Sequence, residues 1–218
     1  MVRIYGHPLA SFYWKVLIAL YERNVPFEFL MVDAEHPENV EAVRRHAPTG
    51  QFPVLVDGDR VVIESAAIIE YLDLHHGDAP PMVPPDPRAA IEARQMDGVF
   101  DDYVQAPLTR MVLNVLRTED KRDPTTEAEA KATLDRTYAW LDRWIAGREW
   151  AANGVFGLAD CAAAPALFYA HWGYPIPEAC TALRSYRARL LARPSIARVV
   201  DEARPWRDYF PLKGHSPD

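Results

Sequence analysis

The sequence holds little cysteine. Cys161 and Cys180 are the only two in 218 residues, too few for a disulfide framework or a zinc cluster. It has no Cys-x-x-Cys and no cysteine before Cys161, so nothing supports thiol–disulfide exchange in its first half. No apolar run reaches the roughly 18 residues of a membrane-spanning helix. Positive charge is not in excess either. Lys+Arg number 24 against 31 Asp+Glu, a net charge of −7, which lacks the footprint for nucleic acid or an anionic membrane surface. The opening Met1-Val2-Arg3-Ile4-Tyr5 reads as a strand and lacks the basic-then-apolar build of a signal peptide. A reducing, cytoplasmic setting is therefore expected. What remains is ordinary for a globular protein, with 49% hydrophobic and 25% charged residues, and the chain is long enough to bury a sizeable core.

Proline is plentiful and unevenly spread. Five of the ten residues at 78–87, Asp-Ala-Pro-Pro-Met-Val-Pro-Pro-Asp-Pro, are proline. Missing backbone donors and restricted neighbours stop regular structure there, so the stretch reads as a stiff, extended linker between residues 1–77 and 88–218. The first part alternates strand and helix. Strands are expected at 2–5, 27–32, 53–56 and 60–63, and helices at 15–23, 36–46 and 65–76. Asp57-Gly58 marks a tight hairpin between the last two strands. The order βαβ, α, ββα pairs the first two strands in parallel and adds an antiparallel hairpin. The second part reads as all helical. Asp86-Pro87 is an N-cap followed by proline at the first helical position. A long helix runs to about Gln105, breaks or kinks at Pro107 and continues to Arg117. Further helices are expected at 125–146, 157–169, 178–192 and 195–203. The one at 157–169 is apolar nearly all round and belongs at the centre.

Two segments carry chemistry. In Gly50-Gln51-Phe52-Pro53-Val54-Leu55, a proline starts a strand after a polar loop. If cis, it presents the backbone edge of Phe52 to a ligand; if trans, it only marks an edge strand. In Ile63-Glu64-Ser65-Ala66, a helix starts straight after a strand. Free N–H groups, a hydroxyl and a carboxylate at that junction suit the headgroup of an α-amino acid, and they also suit plain helix capping.

At this spacing, Gly-Gln-Phe-Pro-Val-Leu and Glu-Ser-Ala-Ala-Ile-Ile-Glu-Tyr-Leu resemble the glutathione transferase superfamily along the whole chain. The resemblance implies a thioredoxin-like α/β first domain (βαβαββα) followed by an all-α helical bundle. It implies that Pro53 is cis, that Phe52 offers its backbone to the cysteinyl part of glutathione, and that Glu64 and Ser65 hold the γ-glutamyl end. Gln51 stands at a frequent lysine position and can reach the glycyl carboxylate without charge. Gly157-Leu158-Ala159-Asp160 stands where the family shows Ser/Thr-x-x-Asp, which leaves Asp160 as a structural residue in the first turn of the buried helix.

Many such proteins place a Ser or Cys at the start of the first helix, where N–H groups and the helix dipole stabilise a thiolate. That position falls on Ala10 here, with Ser11 next. Ser11 ranks first as the activating hydroxyl, followed by Tyr13 and Tyr5. The electrophile pocket implied between the domains draws on Phe12, Trp14, Phe100, Tyr103, Val104, Met111, Trp206 and Tyr209, the last two in a tail, Trp206-Arg207-Asp208-Tyr209-Phe210, that puts three aromatics within five residues. His7 either lines the site or is a solvated loop histidine. Cys161 reads as a small core residue, and no metal site is expected at His75-His76 or elsewhere. The resemblance implies a cytoplasmic homodimer in which a glutathione thiolate attacks a small hydrophobic electrophile in detoxifying chemistry. Asp97 or Asp101 would then reach the partner's glutathione amine. A glutathione-dependent isomerase or dehalogenase is the alternative within enzymes. A catalytically silent carrier or interaction protein is the alternative outside them, favoured by Ala10 and Gln51 and opposed by Pro53, Glu64 and Ser65.

Overall fold

The apolar runs of the first half assemble into one mixed sheet in the computed structural model, which describes residues 1–76 and 79–212. Strands β1 (Val2–Gly6), β2 (Phe27–Met31), β3 (Val54–Asp57) and β4 (Arg60–Ile63) lie in the order β2-β1-β3-β4. β1 runs parallel to β2 with Ile4 opposite Phe29, and antiparallel to β3 with Ile4 opposite Leu55. This is the expected pairing. The hairpin turn sits one residue later than the sequence suggests. Asp57 pairs with Arg60, and Gly58 supplies the positive φ of +57° at the first turn position. Helices α1 (Ser11–Glu22), α2 (Pro37–His46) and α3 (Ser65–His75) cover the sheet. The strand period of two sorts its side chains: Ile4 joins the cluster with α1 and α3, and Tyr5 joins Ala42 and Val43 of α2.

α1 begins four residues before the expected start at Lys15. Ala10 precedes it in extended backbone with no side-chain cap, so the sequence carries no start signal there.

The second half is helical as expected: α4 (Pro87–Gly98), α5 (Ala106–Val115), α6 (Pro124–Ile145), α7 (Leu158–Gly173), α8 (Thr181–Leu191) and α9 (Pro194–Ala203). Asp86 caps α4 by accepting from the Ala89 N–H at 2.8 Å, and Asp123 caps α6 through the Thr125 N–H at 2.9 Å, each with proline at the first helical position. The disturbance from Pro107 appears before it, as a π-helical segment over Val99–Gln105 in which the Ala106 N–H reaches the Asp101 carbonyl. Pro107 has no N–H for the Tyr103 carbonyl, and the backbone widens by one residue to pass it. α7 runs four residues past its expected end and continues through Pro165. It is buried almost throughout, against α1, α4 and α8, and this packing outweighs the lost hydrogen bond.

Residues 79–86 form no helix or strand, but they are pinned on both sides. The Asp73 carboxylate accepts from the Met82 and Val83 N–H groups, each at 2.9 Å, and pairs with buried Arg23 at 2.8 Å. Arg23 also donates to the Pro80 carbonyl at 2.9 Å, and the Leu158 N–H donates to the Met82 carbonyl at 2.9 Å. A Cβ on Gly157 would stand 2.6 Å from that Met82 oxygen, so a Ser or Thr cap has no room here. Asp160 performs its half of the cap alone: Oδ2 accepts from the Gly157 N–H at 3.0 Å, and Oδ1 accepts from the Ala151 N–H at 2.9 Å and from the Tyr186 hydroxyl. The expected division between residues 77 and 78, and the last six residues of the chain, lie outside the described residues.

Candidate active site

A cleft of about 460 Å³ opens where α1, the β3 entry and the start of α3 meet. Its lining includes Gln51, Phe52, Pro53, Glu64 and Ser65, so all five residues assigned to glutathione from the sequence face one space. The Phe52–Pro53 peptide is cis. Glu64 stands before the first residue of α3 at φ +69°, ψ +119°, a conformation L residues rarely adopt, and its side chain is exposed. It caps nothing, whereas its carbonyl accepts from the Ile68 N–H at 2.9 Å. The junction therefore holds a free carboxylate beside the N–H groups of a helix start, with Ser65 buried behind it. The Thr49 hydroxyl donates to Gln51 Oε1 at 2.9 Å, which leaves the Gln51 amide N–H groups to serve a ligand.

The three candidate hydroxyls do not converge on this cleft. Ser11 is the first residue of α1 and lines a narrow gap with Phe12, Lys15, Asp101 and Gln105 that has no room for water. Buried Gln105 Oε1 in that gap has no hydrogen-bond partner. Tyr13 is buried, with its ring against Gly6 and stacked 5.3 Å from Phe29, and burial holds its hydroxyl far above the usual pKa. Tyr5 is buried at the end of β1 against α2. The backbone offers what the side chains do not. The first intrahelical bond of α1 runs from Trp14 N–H to Ala10 O at 3.0 Å, so the N–H groups of Ser11, Phe12 and Tyr13 precede it, and no side chain caps them.

Of the eight residues assigned to the electrophile, the structure places only Phe12 on the cleft. Trp14, Phe100, Val104 and Met111 are core. Trp14 packs on Phe168 and Tyr169 at 4.9 and 5.0 Å and donates from its indole to the Pro8 carbonyl. Tyr103 is exposed on a separate shallow groove with Val99, Arg136, Thr137 and Trp140. The resemblance singles out elements and not faces, and aromatics at helical spacing form a core stripe as readily as a ligand wall. Trp206 and Tyr209 lie in the 3₁₀ turn after α9 (Arg204–Tyr209), where Trp206 meets the His7 ring edge-on at 4.9 Å and Tyr209 is 70% exposed.

Asp97 and Asp101 are held within their own chain. Both pair with the fully buried Lys15 ammonium, at 2.6 and 2.7 Å. Burial pushes the Asp97 carboxyl up to about 6, against the pull of Lys15. Burial opposes the Lys15 charge as well, but its two carboxylates prevail and raise its pKa. Sequence reasoning missed Ala47, Pro48 and Thr49 on the cleft wall and gave no role to Gly50 and Ile63, the first residues of its two segments. The signal available was the Pro-Thr-Gly turn, whose Gly50 sits at φ +66°. Cys161 is buried in α7, and burial raises its thiol well above the ordinary range, as suits a core residue. Among the described residues no three His, Cys, Asp or Glu side chains are grouped to hold a metal, and no helix is long and apolar enough to cross a membrane.

Two family models match this chain: the glutathione S-transferase N-terminal domain over residues 4–80 and the glutathione S-transferase C-terminal domain over residues 79–194. A stringent starvation protein A homolog from Coxiella burnetii is 27% identical over 93% of each chain. A probable maleylacetoacetate isomerase from Caenorhabditis elegans is 32% identical over 54% of each. A glutathione S-transferase from Methylobacterium radiotolerans, solved in complex with glutathione sulfonate, is 29% identical with a TM-score of 0.79, covering 91% of this chain and 94% of that one.

Proposed function

The chain belongs to the glutathione S-transferase family, and on that premise we propose that it binds glutathione and activates its thiol for attack on a small hydrophobic electrophile. The observation that carries this reading is the convergence of Gln51, Phe52, cis Pro53, Glu64 and Ser65 on one cleft beside the uncapped start of α1. The Glu64 carboxylate takes the ammonium of the γ-glutamyl end, and Ser65 with the first N–H groups of α3 takes its carboxylate. The Phe52 backbone pairs with the cysteinyl unit, and the Gln51 amide serves the glycyl carboxylate. The thiol is thereby delivered to the N-terminus of α1, where the dipole and the Ser11 N–H stabilise a thiolate without a hydroxyl at Ala10. Ser11, ranked first from the sequence, is the remaining side-chain candidate for the same task, because Tyr13 and Tyr5 are buried away from the cleft. The sulfur then attacks an electrophile held near Phe12 and the Trp206–Tyr209 turn. Support for glutathione as ligand comes from the solved relative holding glutathione sulfonate.

A homodimer and a cytoplasmic location complete the proposal. The isomerase-named relative favours a second reading at the same site, in which the thiolate adds to a substrate and leaves again.

Ser11→Ala tests the proposal. We expect glutathione-dependent conjugation to persist within about threefold with glutathione affinity unchanged, because the N–H remains. A loss of turnover beyond tenfold with binding intact transfers activation to the Ser11 hydroxyl. Absence of glutathione binding in the unaltered protein rejects the proposal.

A further inference from the structure

We propose that His7 is a further catalytic residue of this site: its neutral imidazole donates an Nε2–H hydrogen bond to the oxygen of a carbonyl-bearing electrophile as the glutathione sulfur adds to it. The inference rests on the glutathione reading above.

His7 stands between the C-terminal end of β1 and the first turn of α1, in the loop beside the position assigned to the thiolate. Two contacts lock the loop around it. The Ala10 N–H donates to the His7 carbonyl at 2.9 Å, and the Leu9 N–H donates to His7 Nδ1 at 3.1 Å. The second contact fixes the tautomer. A ring nitrogen that accepts a backbone N–H carries no proton, so in the neutral ring the proton is on Nε2. The ring is half-buried, with the Trp206 ring against it edge-on at 4.9 Å, and Tyr209 follows 6.0 Å beyond Trp206. His7 therefore holds a fixed polar donor beside the Trp206 ring, in the loop that leads into Phe12 and the uncapped start of α1. Burial lowers its pKa, against a weaker upward pull from Asp33 on the loop after β2, so the neutral ring prevails near pH 7. Asp33 is itself engaged, accepting from the His36 ring at 2.7 Å.

With an α,β-unsaturated ketone, the thiolate sulfur bonds to the β-carbon, the carbon–carbon π pair shifts, and the carbonyl π pair goes to oxygen to give an enolate. The His7 Nε2–H stabilises that oxyanion and keeps its proton. Water then delivers to the α-carbon the proton that the thiol released on ionising. Displacement from an alkyl chloride makes no oxyanion, since chloride departs with the bonding pair, and gains nothing from His7.

The contrast between these reactions is the test. Turnover of trans-4-phenyl-3-buten-2-one and of benzyl chloride is measured for the unaltered protein, His7→Asn and His7→Gln, with glutathione affinity taken by calorimetry. Asn keeps an acceptor for the Leu9 N–H but places no donor at the Nε2 position, whereas the Gln amide reaches it. We expect His7→Asn to lower the ketone-to-chloride ratio of kcat/KM at least tenfold with glutathione affinity unchanged, and His7→Gln to recover most of the ratio. A ratio within twofold of the parent in His7→Asn overturns the inference, as does an unaltered protein that binds glutathione but does not turn over the ketone. An unaltered protein that binds no glutathione overturns the functional reading with it.

Discussion

In the proposed site, glutathione recognition would turn on Glu64, whose backbone conformation carries a cost. At φ +69° and ψ +119° it occupies a region that costs a non-glycine residue about 1–3 kcal/mol. Its side chain caps nothing in return. Glu64→Gly should therefore raise the melting temperature by about 2–4 °C, through relief of about 1 kcal/mol, and weaken glutathione binding more than tenfold in calorimetry. A variant that melts higher and still binds at the original affinity would remove Glu64 from the site. Gln51 argues the other way. Gln51→Lys adds a charge where the glycyl carboxylate is expected, and affinity should rise about three- to tenfold at low salt, with the gain shrinking as salt is added. These residues were readable because both segments are local: turn, strand and helix start lie within a few positions. The hydroxyls and the electrophile wall were not. Whether Ser11, Tyr13 or Tyr5 reaches the cleft depends on how α1 sits on α7 and β2, and one residue of register turns a side chain from cleft to core. Tyr13 shows this, packed against Gly6 and Phe29 one position beyond Phe12, which lines the cleft.

Among the elements, α7 and the proline-rich stretch explain each other. The missing hydroxyl at Gly157 looks like the loss of a cap until the Met82 carbonyl is seen to occupy its space. Gly157→Ser should accordingly destabilise the protein by about 1–3 kcal/mol despite adding a favoured N-cap residue, read as a lower urea midpoint at unchanged slope. A gain in stability would show that the linker yields. Asp160→Ala removes the acceptor for Gly157, Ala151 and Tyr186 at once and should cost about 3 kcal/mol or more. Element order and sheet pairing were legible from period and turn residues. Ends were less so. α1 starts at an alanine with no capping signal, α7 passes through Pro165 because its burial overrides propensity, and the effect of Pro107 falls on the turn before it. For α7 the deciding contacts come from α1, α4 and α8, distant in sequence, whereas the widening before Pro107 is a local response to its missing N–H.

At the scale of the molecule, one continuous core joins the sheet domain through α1 to the helical bundle, with the Lys15–Asp97–Asp101 group at that seam. Burial holds both Asp97 and Asp160 up to about 6, above their ordinary value of 3.8. A carboxyl whose folded pKa is raised binds its proton more tightly folded than unfolded, so its contribution is full below about 4 and is lost as pH rises through about 6. His36, raised by Asp33, acts in the same direction, and His7, lowered by burial, opposes them. Glu22, held low by Arg193 and Ser195, loses its contribution only under stronger acid. The urea midpoint should therefore rise from pH 7 to about pH 5, and Asp97→Asn should flatten part of that rise. An equal slope in the variant would mean that Asp97 ionises normally.

We propose above that this chain holds glutathione as an activated thiolate without a hydroxyl at position 10. Calorimetric titration of the purified protein with glutathione, paired with thiolate absorbance of the bound ligand across pH, tests it most directly. We expect saturable binding with a thiol pKa clearly below that of free glutathione. Binding with an unshifted thiol pKa would contradict activation and mark a carrier, and no binding would contradict the site itself.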